Sequence, residues 1–176
     1  MAARARCTMF GGVEQGGGVE QEGDGADADI GLLWPIKRSF IRYVARMGDG
    51  RILGGHGLRM LDASTFAFPP DADDEPGLLR FRGELRLQAH NGALALRIAN
   101  PRVDLSDARA VLIVDHPEGS GAPVRMVTFE ASAGGPGAGT WAGTDVRLTV
   151  EAVPLFGGYY GEDEPFDDLT IVLPPR

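Results

Sequence analysis

Residues 81–98 read FRGELRLQAHNGALALRI. From residue 79 to residue 90 apolar side chains alternate with polar ones, and this period of two predicts a strand with one face in the core. Asn91-Gly92 follows at once, a dipeptide that strongly favours the tight turn between two antiparallel strands. After this turn the apolar residues again take every second position, from Leu94 to Ile98. The stretch therefore predicts a β-hairpin.

Short runs rich in β-branched and aromatic residues predict further strands on both sides of this hairpin. They are RILGG at 51–55, STFAFP at 64–69, ARAVLIVD at 108–115, PVRMVTFE at 123–130, TDVRLTVEAV at 144–153 and DLTIVL at 168–173. Segments rich in glycine and proline, such as HPEGSGAP and AGGPGAG, separate these runs as turns do. The pattern predicts a mainly β fold, an antiparallel β-sandwich or curled barrel.

One short α-helix is expected before these strands, within IGLLWPIKRSFIRYVARMGDG at residues 30–50. Pro35 suits the first turn of a helix, and Gly48 suits its C-terminal stop. Apolar residues recur there at helical spacing, so we expect one stripe to face the core. The stripe consists of Ile36, Phe40, Tyr43 and Val44. Ser39 lies one helical turn before Tyr43.

Residues 1–29 differ in composition from the rest of the chain. The pentapeptide GGVEQ occurs twice there, large apolar side chains are almost absent, and six acidic residues face two arginines. We expect this segment to be a disordered, acidic, glycine-rich tail and residues 30–176 to form one folded domain.

Charge and hydropathy exclude some classes of partner. The formal net charge of −8 argues against binding to nucleic acid, whose phosphates attract basic surfaces. No apolar run approaches the ~18 residues that a membrane-spanning helix needs. Arg4 and Arg6 resemble the start of a signal peptide, but no apolar segment follows them. As written, the sequence predicts neither an export signal nor an anchor, which would place the protein in the cytoplasm.

No catalytic constellation is recognisable. There is no phosphate-binding glycine motif or nucleophile elbow, and Cys7, the single cysteine, lies in the expected tail. His56, His90 and His116 lack the close spacing of zinc ligands. The acidic run GEDEPFDD lacks the alternating ligand positions of a calcium-binding EF-hand loop. We therefore expect a protein that is not an enzyme and binds no ion of these kinds.

Taken singly, Tyr43 and His90 do not indicate a function. A tyrosine on a helical stripe is most often a core residue whose hydroxyl finds some partner. A histidine at the mouth of a hairpin is usually solvated. These residues leave open a β-sandwich protein-interaction module that has no cofactor.

Three ordered blocks of sequence are more specific than any single residue. They read LxWxIKxSFxxYV at 32–44, FxGxLxLxxHNGALxLxIxxP at 81–101 and AxPLFGGYYGEDEPFDDLTIVL at 152–173. Together they closely resemble the HtaA family of haem-binding domains, over about residues 30–173. One departure is Pro35, where the family usually has glycine after the tryptophan.

This resemblance implies a secreted or surface-tethered haem-uptake module that is mainly β with one short helix. It implies that Tyr43 is the axial ligand of ferric haem b, as a tyrosinate. The chemistry is consistent with this, because a phenolate oxygen suits Fe(III). The family's hydrogen-bonding histidine falls on His90, and its helix serine near the haem falls on Ser39. The haem would pass to or from another haem-binding protein without catalysis. A haem-dependent enzyme is the weakest reading, since no distal acid or base group can be named.

A haem pocket also needs apolar cover for the porphyrin and cations for its propionates. The candidates for apolar cover are Trp34, Phe40, Phe156, Tyr159 and Tyr160. The candidates for the propionates are Arg38, Arg42 and Arg82.

Overall fold

Two antiparallel sheets and one α-helix make up the part of the chain that the computed structural model describes, residues 30–71, 75–134 and 139–174. The strands are β1 (Gly31–Trp34), β2 (Arg51–Gly55), β3 (Arg59–Met60), β4 (Phe66–Phe68), β5 (Leu78–Arg80), β6 (Glu84–Ala89), β7 (Leu94–Ala99), β8 (Arg102–Asp104), β9 (Ala110–Val114), β10 (Val124–Ala133), β11 (Thr140–Leu148) and β12 (Leu169–Val172). Helix α1 spans Arg38–Arg46, and two 3₁₀ segments span His90–Gly92 and Val150–Phe156. The tail expected at residues 1–29, with Cys7, lies outside the described residues.

The larger sheet has the strand order β3-β4-β1-β12-β11-β10-β9-β8-β5 and curls into a half-barrel, and the smaller one has the order β2-β6-β7. Helix α1 packs against β2 and β6 of the smaller sheet. One cluster of buried side chains joins the helix to both sheets. This confirms the prediction of a mainly β, antiparallel, curled fold with one short helix. Within the described residues, no helix has the length and apolarity needed to cross a membrane.

The predicted hairpin is formed by β6 and β7, which pair in continuous register from Glu84 opposite Ala99 to Ala89 opposite Leu94. Its connection is longer than the two-residue turn that Asn91-Gly92 indicates, because His90 also leaves the strand and adopts a positive φ of 55°.

The single long strand expected from residue 79 to residue 90 is wrong. The chain leaves the larger sheet after β5 and enters the smaller sheet at β6. Gly83 permits this change of sheet, because its φ of +128° is a conformation that other residues rarely adopt. A Cβ atom there would also lie 3.2 Å from the Phe68 ring.

The helix begins later than predicted. Pro35 lies between β1 and α1, and Ile36 has a φ of 62°, so neither residue belongs to the helix. Phe40 and Val44 are buried as expected. Tyr43 is not, since 45% of its surface is exposed, and Ile41 takes its place in the core. The strand expected at 144–153 likewise ends at residue 148 and is followed by a 3₁₀ segment.

Glu84 is the one charged side chain in the buried class among the described residues. It accepts hydrogen bonds from Arg86 Nε and, at 2.8 Å, from Arg97 Nη2, while Arg97 Nη1 donates to the His116 carbonyl at 3.0 Å. Burial raises the pKa of Glu84, but the hydrogen bonds and charges of the two arginines outweigh burial and hold this pKa below its usual range. The network joins β6 and β7 to the segment after β9.

We expect Glu84→Ala to lower the free energy of unfolding by about 1–3 kcal/mol, because Arg97 loses the acceptor of its partly buried donors. Urea denaturation at pH 7 measures this change. Glu130→Ala is the control, because the Glu130 side chain is 65% exposed and lies 3.5 Å from Arg109. The control should change stability by less than about 0.5 kcal/mol. Equal losses in the two variants would show that the Glu84 network adds nothing to stability.

Candidate functional site

Helix α1 and the β6–β7 connection bring Tyr43 and His90 together across 47 residues of sequence. The Tyr43 hydroxyl oxygen lies 2.5 Å from His90 Nε2, and the ring centroids are 5.9 Å apart. Tyr43 is exposed over 45% of its surface, and His90 is half-buried. The two side chains therefore form a hydrogen-bonded pair that solvent can reach.

The chemistry of this pair fits a ferric ion. When Nε2 carries its proton, the imidazole donates a hydrogen bond to the tyrosine oxygen. A phenolate is a hard anionic ligand of the kind that Fe(III) prefers, and tyrosine ligates haem iron in other proteins. Among the described residues, no three His, Cys, Asp or Glu side chains are grouped as a metal-ion site.

The N-terminus of α1 is capped by Asp167, 129 residues away in the sequence. Lys37 at the N-cap position makes no side-chain capping bond, whereas the Asp167 carboxylate accepts the Arg38 backbone N–H at 2.6 Å and Arg38 Nη1 at 3.0 Å. The Asp167 carbonyl accepts Trp34 Nε1 at 3.0 Å. A negative charge at this end of a helix is favourable. The closing segment of the chain thus orients the helix that carries Tyr43.

Lys37, just before α1, also contacts the segment that contains Asp167. Its Nζ lies 2.9 Å from Glu164 Oε1 and 5.1 Å from the centroid of the Tyr160 ring. Burial, and next the charge of Glu164, raise the pKa of Tyr160. The phenolate is therefore disfavoured at Tyr160, which makes this half-buried tyrosine a poor ligand for ferric iron.

Three of the aromatic residues expected to cover a haem lie in the core instead. Trp34, Phe40 and Phe156 expose 0%, 4% and 1% of their surface. Phe40 and Phe156 pack edge to face, with their centroids 5.6 Å apart. These rings support α1 and offer almost no surface to a ligand. Tyr159, by contrast, is 74% exposed.

The polar candidates divide into two groups. Ser39 and Arg42 are exposed on α1, and Arg42 has no hydrogen bond or ion pair with the described residues, whereas Arg38 pairs with Asp167 at 3.0 Å. Arg82 precedes β6 and His90 follows it, so the six residues of this strand, about 20 Å in length, separate them. Arg82 is therefore too far away to belong to the same site.

One cavity of the described residues lies away from this pair. A cavity of about 500 Å³ beside the β6–β7 hairpin is lined by Arg86, Arg97 and Glu118, among others, and neither Tyr43 nor His90 lines it. Tyr43 is instead exposed to solvent over 45% of its surface.

Two carboxylates near this pair were not predicted from the sequence. Asp167 is part of the third sequence block, but no local signal indicates that it caps a helix so distant in the sequence. Asp49, whose carboxylate accepts the Asn91 backbone N–H at 2.5 Å, reads as an ordinary turn residue between two glycines. Only the fold reveals these contacts.

A family model described as Htaa matches residues 29–172. Among solved structures, the haem-binding protein HtaB from Corynebacterium glutamicum is 19% identical with a TM-score of 0.68, over 80% of this chain and 90% of that chain. The C-terminal domain of HtaA from the same organism is 21% identical with a TM-score of 0.62, over 80% of this chain and 94% of that chain. Its N-terminal domain is 19% identical with a TM-score of 0.63, over 81% and 96%. At these identities the solved structures show likeness of fold. No curated protein matches.

We expect Asp167→Ala to lower the free energy of unfolding by about 1 kcal/mol, because α1 loses its N-terminal cap. Amide hydrogen exchange should also accelerate at Arg38. Asp168→Ala is the matched control, since the neighbouring Asp168 is exposed and makes no hydrogen bond or ion pair with the described residues. Unchanged exchange at Arg38 in Asp167→Ala would contradict the capping role.

Proposed function

This chain belongs to the HtaA family, as its three sequence blocks indicate, and from this premise we propose that it binds ferric haem b and passes it to another haem-binding protein. In this proposal the Tyr43 phenolate is the axial ligand of the iron. The chain's own part is to bind, orient and release haem without catalysis.

The observation that carries this proposal is the 2.5 Å contact between the exposed Tyr43 hydroxyl and His90 Nε2. A free tyrosine has a pKa near ~10 and is a neutral phenol at pH 7. The positive charge of ferric iron and a hydrogen bond from His90 both act in favour of the phenolate. Removal of either should therefore weaken the bond between iron and Tyr43.

Other residues on or near the exposed side of α1 could contact the porphyrin and its propionates. Ser39 stands one turn before Tyr43 and can donate its hydroxyl to a ligand on the same side of the helix. Arg42 is adjacent to Tyr43, and its guanidinium is available for the charged hydrogen bonds that a propionate accepts. Tyr159 can add apolar cover, because it adjoins Tyr160, which packs against Phe40 of α1.

The open setting of Tyr43 supports transfer rather than storage. A haem held through one protein ligand on an exposed surface keeps an edge available to a second protein. Storage or catalysis would call for an enclosed pocket with further groups close to the iron. Release to a protein of higher affinity then needs only the loss of the bond between Tyr43 and iron.

Titration of ferric haem into the purified protein tests the ligand. We expect one haem per chain and a tyrosinate charge-transfer band, both lost in Tyr43→Phe, which removes only the hydroxyl. Tyr159→Phe is the matched control and should keep the band. An unchanged spectrum in Tyr43→Phe would exclude Tyr43 as the ligand. If the wild type retained no haem through gel filtration, an interaction module without a cofactor would be favoured.

Transfer is tested by mixing the haem-loaded protein with an excess of apomyoglobin. We expect a first-order shift of the Soret band as haem moves to the globin, with a rate independent of globin concentration, because release from Tyr43 limits the reaction. Haem that stays on the protein over many hours would overturn transfer while leaving haem binding intact.

A further inference from the structure

The turn that presents His90 has an uncommon backbone conformation. His90, Asn91 and Gly92 have φ values of 55°, 54° and 90°, so three consecutive residues lie in the left-handed region. Glycine enters this region freely and asparagine does so at modest cost, whereas histidine enters it less often. Such a conformation persists only where surrounding contacts hold it.

Asp49 supplies such a contact. Its carboxylate Oδ2 accepts the backbone N–H of Asn91 at 2.5 Å. This hydrogen bond, and to a smaller extent the backbone N–H of His90, lowers the pKa of Asp49. Two successive N–H groups of the turn therefore favour the charged carboxylate.

The position of Asp49 is itself determined by the end of α1. The chain turns back on the helix directly after Arg46, and Gly50 N–H donates to the Met47 carbonyl at 3.0 Å. A Cβ atom on Gly50 would lie 1.8 Å from the Val44 carbonyl oxygen, so only glycine permits this close approach. Asp49 is thus held at a fixed place beside the last turn of the helix.

Helix α1 and the hairpin turn are consequently joined at two points. One is the side-chain contact between Tyr43 and His90, and the other is the contact between the Asp49 carboxylate and the main chain at Asn91. The first contact directs the imidazole at the tyrosine oxygen. The second sets the backbone from which that imidazole projects.

We propose that Asp49 is a positioning residue for haem binding: its carboxylate holds the His90–Gly92 turn so that His90 Nε2 stays against the Tyr43 oxygen. The part that concerns haem rests on the proposed function, whereas the effect on His90 does not. Asp49 acts through His90 and bonds the turn rather than the ligand. Its loss should free the turn, remove the hydrogen bond to the phenolate and speed haem release.

The experiment compares Asp49→Ala and Asp49→Asn with Asp62→Ala. Asp62 is a matched control because its carboxylate also accepts backbone N–H groups, those of Ser64 at 2.7 Å and Thr65 at 2.8 Å, in another loop. Asp49→Asn keeps an oxygen that can accept the Asn91 N–H but removes the charge. It provides a milder variant if Asp49→Ala folds poorly.

The first readout uses the protein without haem. In NMR spectra, Asp49→Ala should shift the His90 ring, the Tyr43 ring and the Asn91 amide, while Asp62→Ala leaves all three unchanged. If the His90 and Tyr43 rings keep their wild-type shifts in Asp49→Ala, the positioning role is wrong. This result would hold whether or not the wild type binds haem, so a failure of haem binding is distinguishable from a failure of positioning.

The second readout is the rate of haem release to apomyoglobin. Loss of an outer partner of a metal ligand typically costs 10–100-fold, so Asp49→Ala should speed release about 10-fold. His90→Asn, which keeps a residue tolerant of positive φ, should do the same. The double variant should release haem no faster than His90→Asn alone, because Asp49 acts through His90. Multiplied effects in the double variant would overturn this mechanism.

Discussion

The attachment of helix α1 is the constraint on which the rest of the site depends. A nine-residue helix is too short to be stable alone in water. It is held by the buried side chains of Phe40, Ile41 and Val44, by the Asp167 carboxylate at its N-terminus and by the Asp49 contact just beyond its C-terminus. Tyr43 takes its direction from this arrangement, since none of the elements in the described residues covers its exposed side.

One tyrosine on this helix and one packed beside it differ in their surroundings, and this difference distinguishes a candidate ligand from a structural residue. Tyr160 is half-buried among aromatic rings, and burial together with Glu164 raises its pKa. Tyr43 is open to solvent and has an imidazole nitrogen against its oxygen. The phenol form is thus favoured at Tyr160, whereas the oxygen of Tyr43 is exposed beside an imidazole.

The parts of the fold that were predictable carry local signals. The β6–β7 hairpin follows from alternation and Asn91-Gly92, and the family follows from three ordered blocks. Local sequence patterns gave wrong predictions where contacts between residues distant in the sequence determine the structure. Tyr43 fits the periodicity of a buried stripe, but the core accepts Ile41 instead. The long strand expected before His90 is divided, because Gly83 carries the chain from one sheet into the other.

The site shows the same division between local and distant information. The family resemblance pairs Tyr43 with His90, and the two side chains are in contact in the structure. Asp167 and Asp49 act through main-chain hydrogen bonds. Nearly every residue type has a backbone N–H, so the residue that donates it gives no sign of the contact in the sequence. Neither carboxylate could therefore be assigned from the sequence.

The pairing of β1 with β12 also bears on synthesis of the protein. β1, which leads into α1, is flanked by β4 and by the last strand, with Leu32 opposite both Phe68 and Ile171. A nascent chain that has already exposed Tyr43 and His90 outside the ribosome still lacks this last strand and the Asp167 cap. The pair can therefore reach its final geometry only after β12 and Asp167 have also been synthesised.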